Sequence, residues 1–320
     1  MNKPLLSIVI PTYNREHLVV ALLEKVCKFK KDWVEIVVID NNSNSIEKLI
    51  SQISLNSWDV NLVRNKHNVG GNENILRCFE YSNGEWIWAI GDDDVIEDNC
   101  FEIIYNKIQL LSNSNVFGIH FNWDLTRQYK EVDIFINNLD ELFNNMHSLG
   151  DINFMSSNIF RYNKINTYLD WVYYHQYNCN PMSTTIMLGI DKNMQFVLTN
   201  DRIVQNGFYT NSNKKKTDFW DVEIVLKANS LLGELPLTDK NKKVLVQLLI
   251  SYFTPWLAFK GATREYIKGS SKRSSIWAYR EMLKHQFVYG SLFKIIYIFL
   301  LQTLLYIFIK PLGYVYKNYK

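Results

Sequence analysis

The sequence has little that would support a disulfide framework or a metal site built on sulfur. Its 320 residues include four cysteines without any Cys-x-x-Cys pair, namely Cys27, Cys78, Cys100 and Cys179. Paired spacing marks zinc sites, and dense cysteines mark small secreted domains. We therefore expect neither class of protein, and the free thiols suit a reducing cytosol.

The chain also lacks a strong charge of either sign. Its 35 Lys and Arg residues nearly balance 32 Asp and Glu residues, and the formal net charge is +3. Such a small, scattered excess excludes nucleic acid as an expected partner. The first apolar stretch is shorter than a signal sequence and is interrupted by Pro11, so we expect the body of the protein not to be secreted. No Gly-x-Gly-x-x-Gly follows this stretch, which argues against a dinucleotide-binding oxidoreductase.

What the chain does contain is a strong α/β pattern in its first third. Apolar runs rich in Ile and Val (LLSIVI, VEIVVID, VNLVRN, EWIWAIG) alternate with segments of helical periodicity. This order predicts a parallel sheet whose strands all end at one edge, where open α/β sheets bind ligands. The residues after each run, at 11–15, 40–43, 65–71 and 91–94, are therefore the candidates for a site.

The later parts of the chain follow other patterns. We predict a first half-domain at 1–114, a mixed second half at 115–220 and a helical region at 221–320. A polar stretch at 206–219, with lysines at 214–216, resembles a lid, although a lysine run is more often simply solvated.

The last thirty residues contain an uncharged and strongly apolar run, at 295–309, which is bracketed by Lys294 and Lys310. About fifteen residues are too few to cross a bilayer, but the lysine and tyrosine flanks favour an interfacial helix at 291–320. This predicts a cytoplasmic protein held peripherally on the inner face of the cell membrane. A buried core helix is the alternative. One such run also excludes a channel-forming membrane synthase.

An acidic run, Asp92, Asp93 and Asp94, follows the fourth apolar run directly. Adjacent carboxylates repel one another unless a cation joins them, and oxygen ligands suit Mg²⁺ or Mn²⁺. We therefore predict a divalent metal that stabilises a departing diphosphate. The alternative is that one aspartate caps the helix that begins near Glu97 while the others are solvated.

Polar residues also follow the first three runs. Asp40, with Asn42 and its neighbours, offers donors and acceptors to a base edge and to ribose hydroxyls, although an Asx-turn is an equally available role. Tyr13 and Arg15 supply an aromatic face and a guanidinium for a base and a phosphate. The turn before Gly71 opens a helix whose backbone N–H groups can approach an anion.

The segments SIVIPTYNR, EIVVIDNNSN and NVGGNENILRCFEYSNGEWIWAIGDDDVIED together resemble the donor-binding half of glycosyltransferase family 2 enzymes. The match covers about the first 110 residues in order. It implies an α/β fold of the GT-A type, with a Rossmann-like nucleotide-binding half, a mixed sheet and a C-terminal helical appendage.

The resemblance also implies roles for single residues. Asp40 contacts the pyrimidine base, and Asp93 is a metal ligand in either alignment of the family's Asp-x-Asp motif, with Asp92 and Asp94 competing for the second role. The residues that line the nucleotide pocket or approach the donor are Pro11, Thr12, Tyr13, Arg15, Asn68, Gly71, Asn72 and Asn74.

The second half lacks the Glu-Asp pair with which many members supply the base. The segment LGDINFMSSNIFRYN resembles the acceptor side of members that build bacterial surface polysaccharides. An inverting transfer needs a group that removes the acceptor proton, and we expect it among Asp151, Asp170 and His175. Their alternatives are a cap after Gly150, a solvated helix position and a packing residue, respectively.

Together these features predict an inverting glycosyltransferase. Its donor is a nucleoside diphosphate sugar, most plausibly of UDP, and its acceptor is a glycan, lipid-linked if the C-terminal helix lies on the membrane, as in O-antigen or capsule assembly. The alternative is a nucleotide-sugar binding or scaffold protein without catalysis, which the missing Glu-Asp pair would explain.

Overall fold

The computed structural model describes residues 3–124, 126, 128–146, 148–205, 231–252 and 300. The lid segment at 206–219 and the C-terminal segment at 291–320, apart from Leu300, lie outside the described residues. The chain divides into two compact units, Met1–Gln176 with Pro181–Lys215, and Tyr177–Asn180 with Lys216–Lys320. The boundaries predicted at 114 and 220 stay predictions.

The first unit is built on a mixed eight-stranded sheet, which confirms the predicted α/β class. Its main strands are β1 (Leu6–Thr12), β2 (Val34–Asp40), β3 (Asn61–Arg64), β4 (Trp86–Ala89), β6 (Val116–Phe121), β7 (Asp133–Ile136), β8 (Asn158–Arg161) and β9 (Gln195–Thr199). A separate two-stranded sheet pairs β5 (Val95–Ile96) with β10 (Val204–Gln205) in antiparallel fashion.

The helices connect these strands in the order that the periodicity predicts for the first third. They are α1 (Glu16–Phe29), α2 (Ile46–Leu55), α3 (Gly71–Glu80), α4 (Cys100–Leu110), α5 (Leu139–Asn145), α6 (Leu149–Asn153), α7 (Tyr162–Ile165), α8 (Leu169–Tyr174) and α9 (Pro181–Asp191). Helix α1 buries Val19, Leu22, Leu23 and Val26. Their spacing of three and four residues places them on one face, which covers the sheet.

The sheet order is β3-β2-β1-β4-β8-β6-β9-β7. The first four strands are mutually parallel, as predicted, whereas β8 is antiparallel to both β4 and β6, and β7 is antiparallel to β9. Strands β4 and β6 are buried at every position. Both faces of the central strands are therefore covered, which is why their sequences are continuous apolar runs instead of alternating ones.

Parallel pairing brings the ends of β1, β2, β3 and β4 to one edge of the sheet, which we call the donor edge. Backbone hydrogen bonds continue the register past the strands: the Asn41 N–H donates to the Thr12 carbonyl (2.9 Å) and the Asn65 N–H to the Asp40 carbonyl (2.8 Å). The loops that carry the candidate residues therefore start from fixed positions.

In the second unit, the described elements are a 3-10 turn at Leu232–Glu234 and α10 (Asp239–Tyr252). Helix α10 buries Leu245, Val246 and Leu249. Within the described ranges, no helix combines the length and the apolar composition needed to span a membrane.

Candidate functional site

The loop after β2 is organised by the carboxylate of Asp40. This side chain is fully buried and accepts the Ser43 backbone N–H with both oxygens, at 3.2 and 3.1 Å. The structure therefore shows the Asx-turn that the sequence left as one role for Asp40. Asn42 lies within this turn at a φ of +66°, a conformation that Asn tolerates better than most residues.

Arg64, which sequence reasoning missed, holds this turn from the neighbouring strand. Its Nε lies 3.3 Å from Asp40 Oδ2, and its Nη2 donates to the Ser43 carbonyl (2.9 Å) and to Asn42 Oδ1 (3.3 Å). Arg64 ends β3 directly opposite Asp40 in the parallel register. A basic residue at the end of the run next to an acidic one was the available signal. The pair places a guanidinium beside the predicted base-binding carboxylate.

A network of four asparagine amides lies behind the first two loops. Asn41 donates to Asn68 Oδ1 (2.8 Å), Asn65 donates to Asn41 Oδ1 (3.0 Å) and to Asn74 Oδ1 (2.8 Å), and Asn74 donates to the Ile39 carbonyl (3.3 Å). Asn74 is buried, whereas Asn68 is exposed. The network joins the start of α3 to the end of β2, and donor contacts by Asn68 and Asn74 stay predictions.

Helix α3 begins at Gly71, behind Gly70 with a φ of +100°. At this φ an L side chain is strained, and a Cβ would also lie 2.3 Å from a carboxylate oxygen of Glu73. Around Gly71 itself a Cβ would meet nothing within 4 Å. The first turn of α3 is thus open to an approaching group. Asn72 lies in this turn, with its amide nitrogen 3.5 Å from the Gln176 carbonyl.

The loop after β1 crosses to the loop after β2. Asn14, at a φ of +53°, donates its backbone N–H to Ser43 Oγ (2.7 Å), and its side chain accepts the Asn44 N–H (2.9 Å). Tyr13 is 42% exposed, so its ring is accessible at this edge, while Pro11 is half-buried within β1. These contacts fix the predicted aromatic residue next to the Asp40 turn.

The acidic run meets the first loop through Thr12 and Arg15. Thr12 Oγ1 donates to Asp92 Oδ2 (2.8 Å), and a single nitrogen of Arg15, Nη2, lies 3.0 Å from Asp92 Oδ1 and 2.8 Å from Asp93 Oδ2. Burial raises the pKa of Asp92 to about 6, although Arg15 and Thr12 oppose this effect. The cation that joins these two carboxylates here is a guanidinium.

Asp94 takes a different direction from its neighbours. Its Oδ2 accepts the Ser156 hydroxyl hydrogen bond (2.6 Å), and Ser156 Oγ also accepts the Gly91 backbone N–H (2.8 Å). The Ser156 carbonyl in turn accepts the indole N–H of Trp88 (2.7 Å). Asp94 therefore ties the acidic run to the segment before β8, a contact that the sequence did not indicate.

The donor set at the acidic run fits a hard divalent cation. Asp92 and Asp93 direct one oxygen each at the same Arg15 nitrogen, so their carboxylates converge on one cationic position. Among the described residues, no group of three or more His, Cys, Asp and Glu side chains could hold a metal. Two converging carboxylates still suit Mg²⁺, which ordinarily takes one or two from the protein and completes its shell with water and phosphate oxygens.

The three candidate bases lie in three different environments. Asp151 is buried at the third position of α6, where its carboxylate accepts the Ser148 N–H (2.9 Å) in a capping box. Asp170 is exposed in the first turn of α8. His175 is buried, with its ring stacked on Trp171 at 6.3 Å. Each alternative named from the sequence is thus seen, and the role of base stays a prediction for all three.

A buried polar cluster on β6 and β8 is absent from the sequence-based candidates. His120 Nδ1 lies 3.0 Å from Asn158 Oδ1 and 3.1 Å from Ser157 Oγ, and His120 and Asn158 are each 1% exposed. A lone histidine in an apolar run carries no signal of this kind. The cluster adjoins Ser156, and it supports the segment that holds Asp94.

Comparison with known proteins identifies the family of this chain. The sequence profile of "Glycosyl transferase family 2" matches residues 7–168. The putative colanic acid biosynthesis glycosyl transferase WcaA of Escherichia coli K12 is 28% identical over 119 residues, which are 37% of this chain and 43% of WcaA. The chain spans about two fifths of the length of the curated relatives it matches.

Solved structures show the fold. S. aureus TarS 1-349 in complex with UDP superposes with a TM-score of 0.60 at 16% identity, over 88% of this chain and 80% of that one. The mannosyltransferase PcManGT of Pyrobaculum calidifontis, in complex with GDP-Man and Mn²⁺, has a TM-score of 0.56 at 13% identity, over 95% and 81%.

The GT-A architecture implied by the sequence is thereby confirmed. The profile covers half of the chain, from the second residue of β1 to the residue before α8, and so includes the donor edge, the acidic run and Asp151. The chain therefore belongs to glycosyl transferase family 2.

Proposed function

We propose that this protein transfers a sugar from a nucleoside diphosphate sugar to a glycan acceptor by a single inverting displacement. The observation that carries the proposal is that Thr12 contacts both the loop after β2 and the acidic run. Its carbonyl accepts the N–H of Asn41, next to Asp40, and its hydroxyl donates to Asp92. One residue thus connects the Asp40 turn, where we place the base, to the paired carboxylates of Asp92 and Asp93, where we place the diphosphate.

Each side chain at this edge then has a role in binding. Asp40, held by Arg64, accepts from the N–H of a pyrimidine base, and exposed Tyr13 offers a ring on which the base stacks. Arg15 pairs with the diphosphate, since a guanidinium binds phosphate oxygens in a bidentate manner. Gly71 and Asn72 present the N-terminus of α3 to the donor. UDP is the favoured nucleotide, and TarS, which has the same fold, is known in complex with UDP.

We assign a divalent metal, Mg²⁺ or Mn²⁺, to Asp92 and Asp93. In the sequence, Asp92 and Asp94 compete for the second ligand position. The carboxylates of Asp92 and Asp93 converge on Arg15 Nη2, whereas Asp94 bonds to Ser156. When bound, the metal supplies positive charge to the departing diphosphate. Thr12 orients Asp92 through its hydroxyl, and the fold of PcManGT, similar to this one, is known with Mn²⁺.

The acceptor side is the less constrained part of the proposal. WcaA, by its description, acts in colanic acid biosynthesis, and a growing surface polysaccharide is accordingly the acceptor we favour. A lipid-linked acceptor and peripheral attachment to the cytoplasmic face of the membrane rest on the segment at 291–320, from sequence alone. The proton acceptor is one of Asp151, Asp170 and His175.

A second candidate function is nucleotide-sugar binding without catalysis. It is favoured by the placement of two of the three candidate bases, since Asp151 is held in a capping box and His175 is buried under Trp171. Isothermal titration beside a donor-turnover assay separates the two functions. Tight, metal-dependent binding with neither transfer nor donor hydrolysis would favour the binding protein.

The decisive experiment is a thermal-shift panel of nucleoside diphosphate sugars with and without Mn²⁺. A ligand that binds the native state raises its melting temperature by mass action. We expect UDP-sugars to shift the wild type in the presence of Mn²⁺ and Asp93→Asn to lose the metal-dependent part. Asp98→Asn is the matched control, because Asp98 is 77% exposed and pairs with Lys25. A full metal-dependent shift in Asp93→Asn would refute the metal assignment.

A further inference from the structure

Helix α8 carries an aromatic surface that the donor site does not use. Trp171 is 43% exposed and Tyr174 is 69% exposed, with ring centroids 6.1 Å apart in an edge-to-face arrangement. Large aromatic side chains are ordinarily buried, so two adjacent exposed rings on one short helix require an explanation. Their spacing of three residues places them on the same face of the helix.

His175 packs against these rings from the protein side. It is 4% exposed, lies nearly parallel to the Trp171 ring at 6.3 Å, and meets the Tyr174 ring edge-on at 5.0 Å. The two exposed rings are therefore supported by a third, buried one. A supported pair of rings loses little conformational entropy on binding, which favours recognition of a ligand with a flat face. Because the two rings stand at 75° to each other, such a ligand would stack on one ring and contact the other at its side.

Two contacts join this surface to α3, one near each end of that helix. Tyr173 donates its hydroxyl to Glu80 at the end of α3 (2.7 Å), and the carbonyl of Gln176, directly after His175, lies 3.5 Å from the Asn72 amide in the first turn of α3. The aromatic surface is thus anchored to the helix whose N-terminus faces the donor. A group bound at Tyr174 would lie toward the first turn of α3, because Gln176 follows Tyr174 by two residues and contacts Asn72.

The chemistry of the surface selects its occupant. A pyranose ring has an apolar face of C–H groups with hydroxyls around its rim, which matches an aromatic ring bordered by polar groups. Asp170, exposed in the turn before Trp171, can accept from such hydroxyls. It is also the one charged residue in α8 (LDWVYY), and an acidic helix is repelled by the anionic lipid surface that attracts Lys and Arg.

We propose that Trp171 and Tyr174 form a stacking platform for the saccharide acceptor, supported by His175. The proposal rests on the proposed function and deepens it, because it names a neutral sugar ring as the part of the acceptor bound nearest to α3. It also assigns His175 to positioning the platform. Asp170 is assigned to binding an acceptor hydroxyl.

The test uses the full chain labelled with 5-fluorotryptophan. The Trp171 signal in the ¹⁹F spectrum is identified from its loss in Trp171→Phe. The probes are three neutral disaccharides, chitobiose, cellobiose and maltose, and separately vesicles of phosphatidylglycerol and phosphatidylethanolamine. We expect at least one disaccharide to shift the Trp171 signal and the vesicles to leave it unchanged.

Variants then locate the contact. Tyr174→Ala is expected to raise the dissociation constant of the shifting disaccharide about tenfold, as the loss of one aromatic contact predicts, while Tyr174→Phe retains it. The matched control is Tyr105→Ala, because Tyr105 is 40% exposed and its ring lies 5.3 Å from the Trp33 ring. Unchanged affinity in Tyr174→Ala would overturn the platform.

The remaining outcomes separate the platform from the proposed function. A Trp171 signal that moves with vesicles, or with none of the disaccharides, overturns the platform. If UDP-GlcNAc with Mn²⁺ still raises the melting temperature, the proposed donor site survives that failure. If the disaccharide binds but no nucleotide sugar does, the platform stands as a saccharide site and the proposed function fails.

Discussion

The donor edge and the acceptor side of this molecule differ in how their polar residues are held. At the donor edge, Asp40 ends β2 and its carbonyl accepts the Asn65 N–H, while Asp92, three residues after β4, is held by the Thr12 hydroxyl and by Arg15. On the acceptor side, Asp151, Asp170 and His175 lie in or beside short helices of five or six residues. Short helices owe their stability to packing rather than to local sequence.

This difference teaches that charge alone does not identify function in this chain. At the donor edge, burial raises the pKa of Asp92 to about 6 in spite of its contacts with Arg15 and Thr12, so the charged form of Asp92 lowers the stability of the fold. In the second half of the sheet, the charge of Lys107 is balanced by Asp133 and Asp201, which lie 2.7 and 2.8 Å from its Nζ. A carboxyl group whose pKa is strongly perturbed is characteristic of a functional site, whereas ion pairs of balanced charge stabilise the fold.

The largest expected effect is at Asp92. Its pKa in the folded protein is above the ordinary value of 3.8, so the native state binds its proton more tightly than the unfolded state. Stability from this group therefore falls as pH rises from about 4 through 6, and the charged form costs about 3 kcal/mol at pH 7. We expect Asp92→Asn to raise the free energy of unfolding by up to that amount at pH 7 while abolishing transfer.

Urea denaturation at pH 7 and pH 4.5 measures this effect. The gain in Asp92→Asn should shrink at the lower pH, because the wild-type carboxyl is then protonated. Asp59→Asn is the control, since Asp59 is 92% exposed and its substitution should change stability by less than about 0.5 kcal/mol. A variant that is destabilised at pH 7 would contradict the view that the donor edge retains strain.

Substitution of Lys107 should change the free energy of unfolding in the opposite direction. This lysine is 8% exposed, and hydrogen bonds to Asp133 and Asp201 outweigh its burial and raise its pKa above 10.5. The stabilisation that Lys107 contributes is thus complete at pH 7, and it is lost only as the pH rises above 10.5. We expect Lys107→Met to lower the free energy of unfolding by about 2 kcal/mol, because two half-exposed carboxylates lose their partner.

Nucleotide binding should be unaffected by that substitution. Calorimetric titration of UDP with Mn²⁺ against folded Lys107→Met measures this. Lys192→Met, a change at an exposed lysine directly after α9, serves as the control for the general effect of losing a positive charge. A large loss of UDP affinity confined to Lys107→Met would place its ion cluster in the site and remove the contrast between the two regions.

The smallest expected effect is at Asp151. Its carboxylate accepts the Ser148 N–H in the capping box of α6, so Asp151→Ala should cost about 1 kcal/mol of stability. Ser148→Ala removes the same box from the other side and should cost a similar amount. If Asp151→Ala alone also lowers the turnover of folded enzyme by more than about a hundredfold, Asp151 is the base, and the acceptor side is as functional as the donor edge.

Much of the donor half could be predicted from sequence because its signals are local. A buried parallel strand appears in the sequence as a continuous apolar run. One such run ends at Ile39, directly before Asp40, and another ends at Ile90, two residues before Asp92. Arg64 and Ser156 escaped prediction for the opposite reason. Arg64 contacts Asp40 across neighbouring strands, so its charge at the end of a run becomes a signal only once the strand order is known. Ser156 contacts Asp94 across 62 residues of sequence, and neither residue type nor spacing encodes that contact.

The sequence by itself determined the parallel order of the first strands, the edge at which they end and the acidic residues found there, because apolar periodicity and chain direction are properties of short segments. Only the tertiary structure decided which carboxylates converge. It turned Asp94 toward Ser156, brought Arg15 between Asp92 and Asp93, and placed His175 beneath Trp171. Those contacts depend on packing between elements that are distant in the sequence, because the direction of each side chain determines which partner it meets.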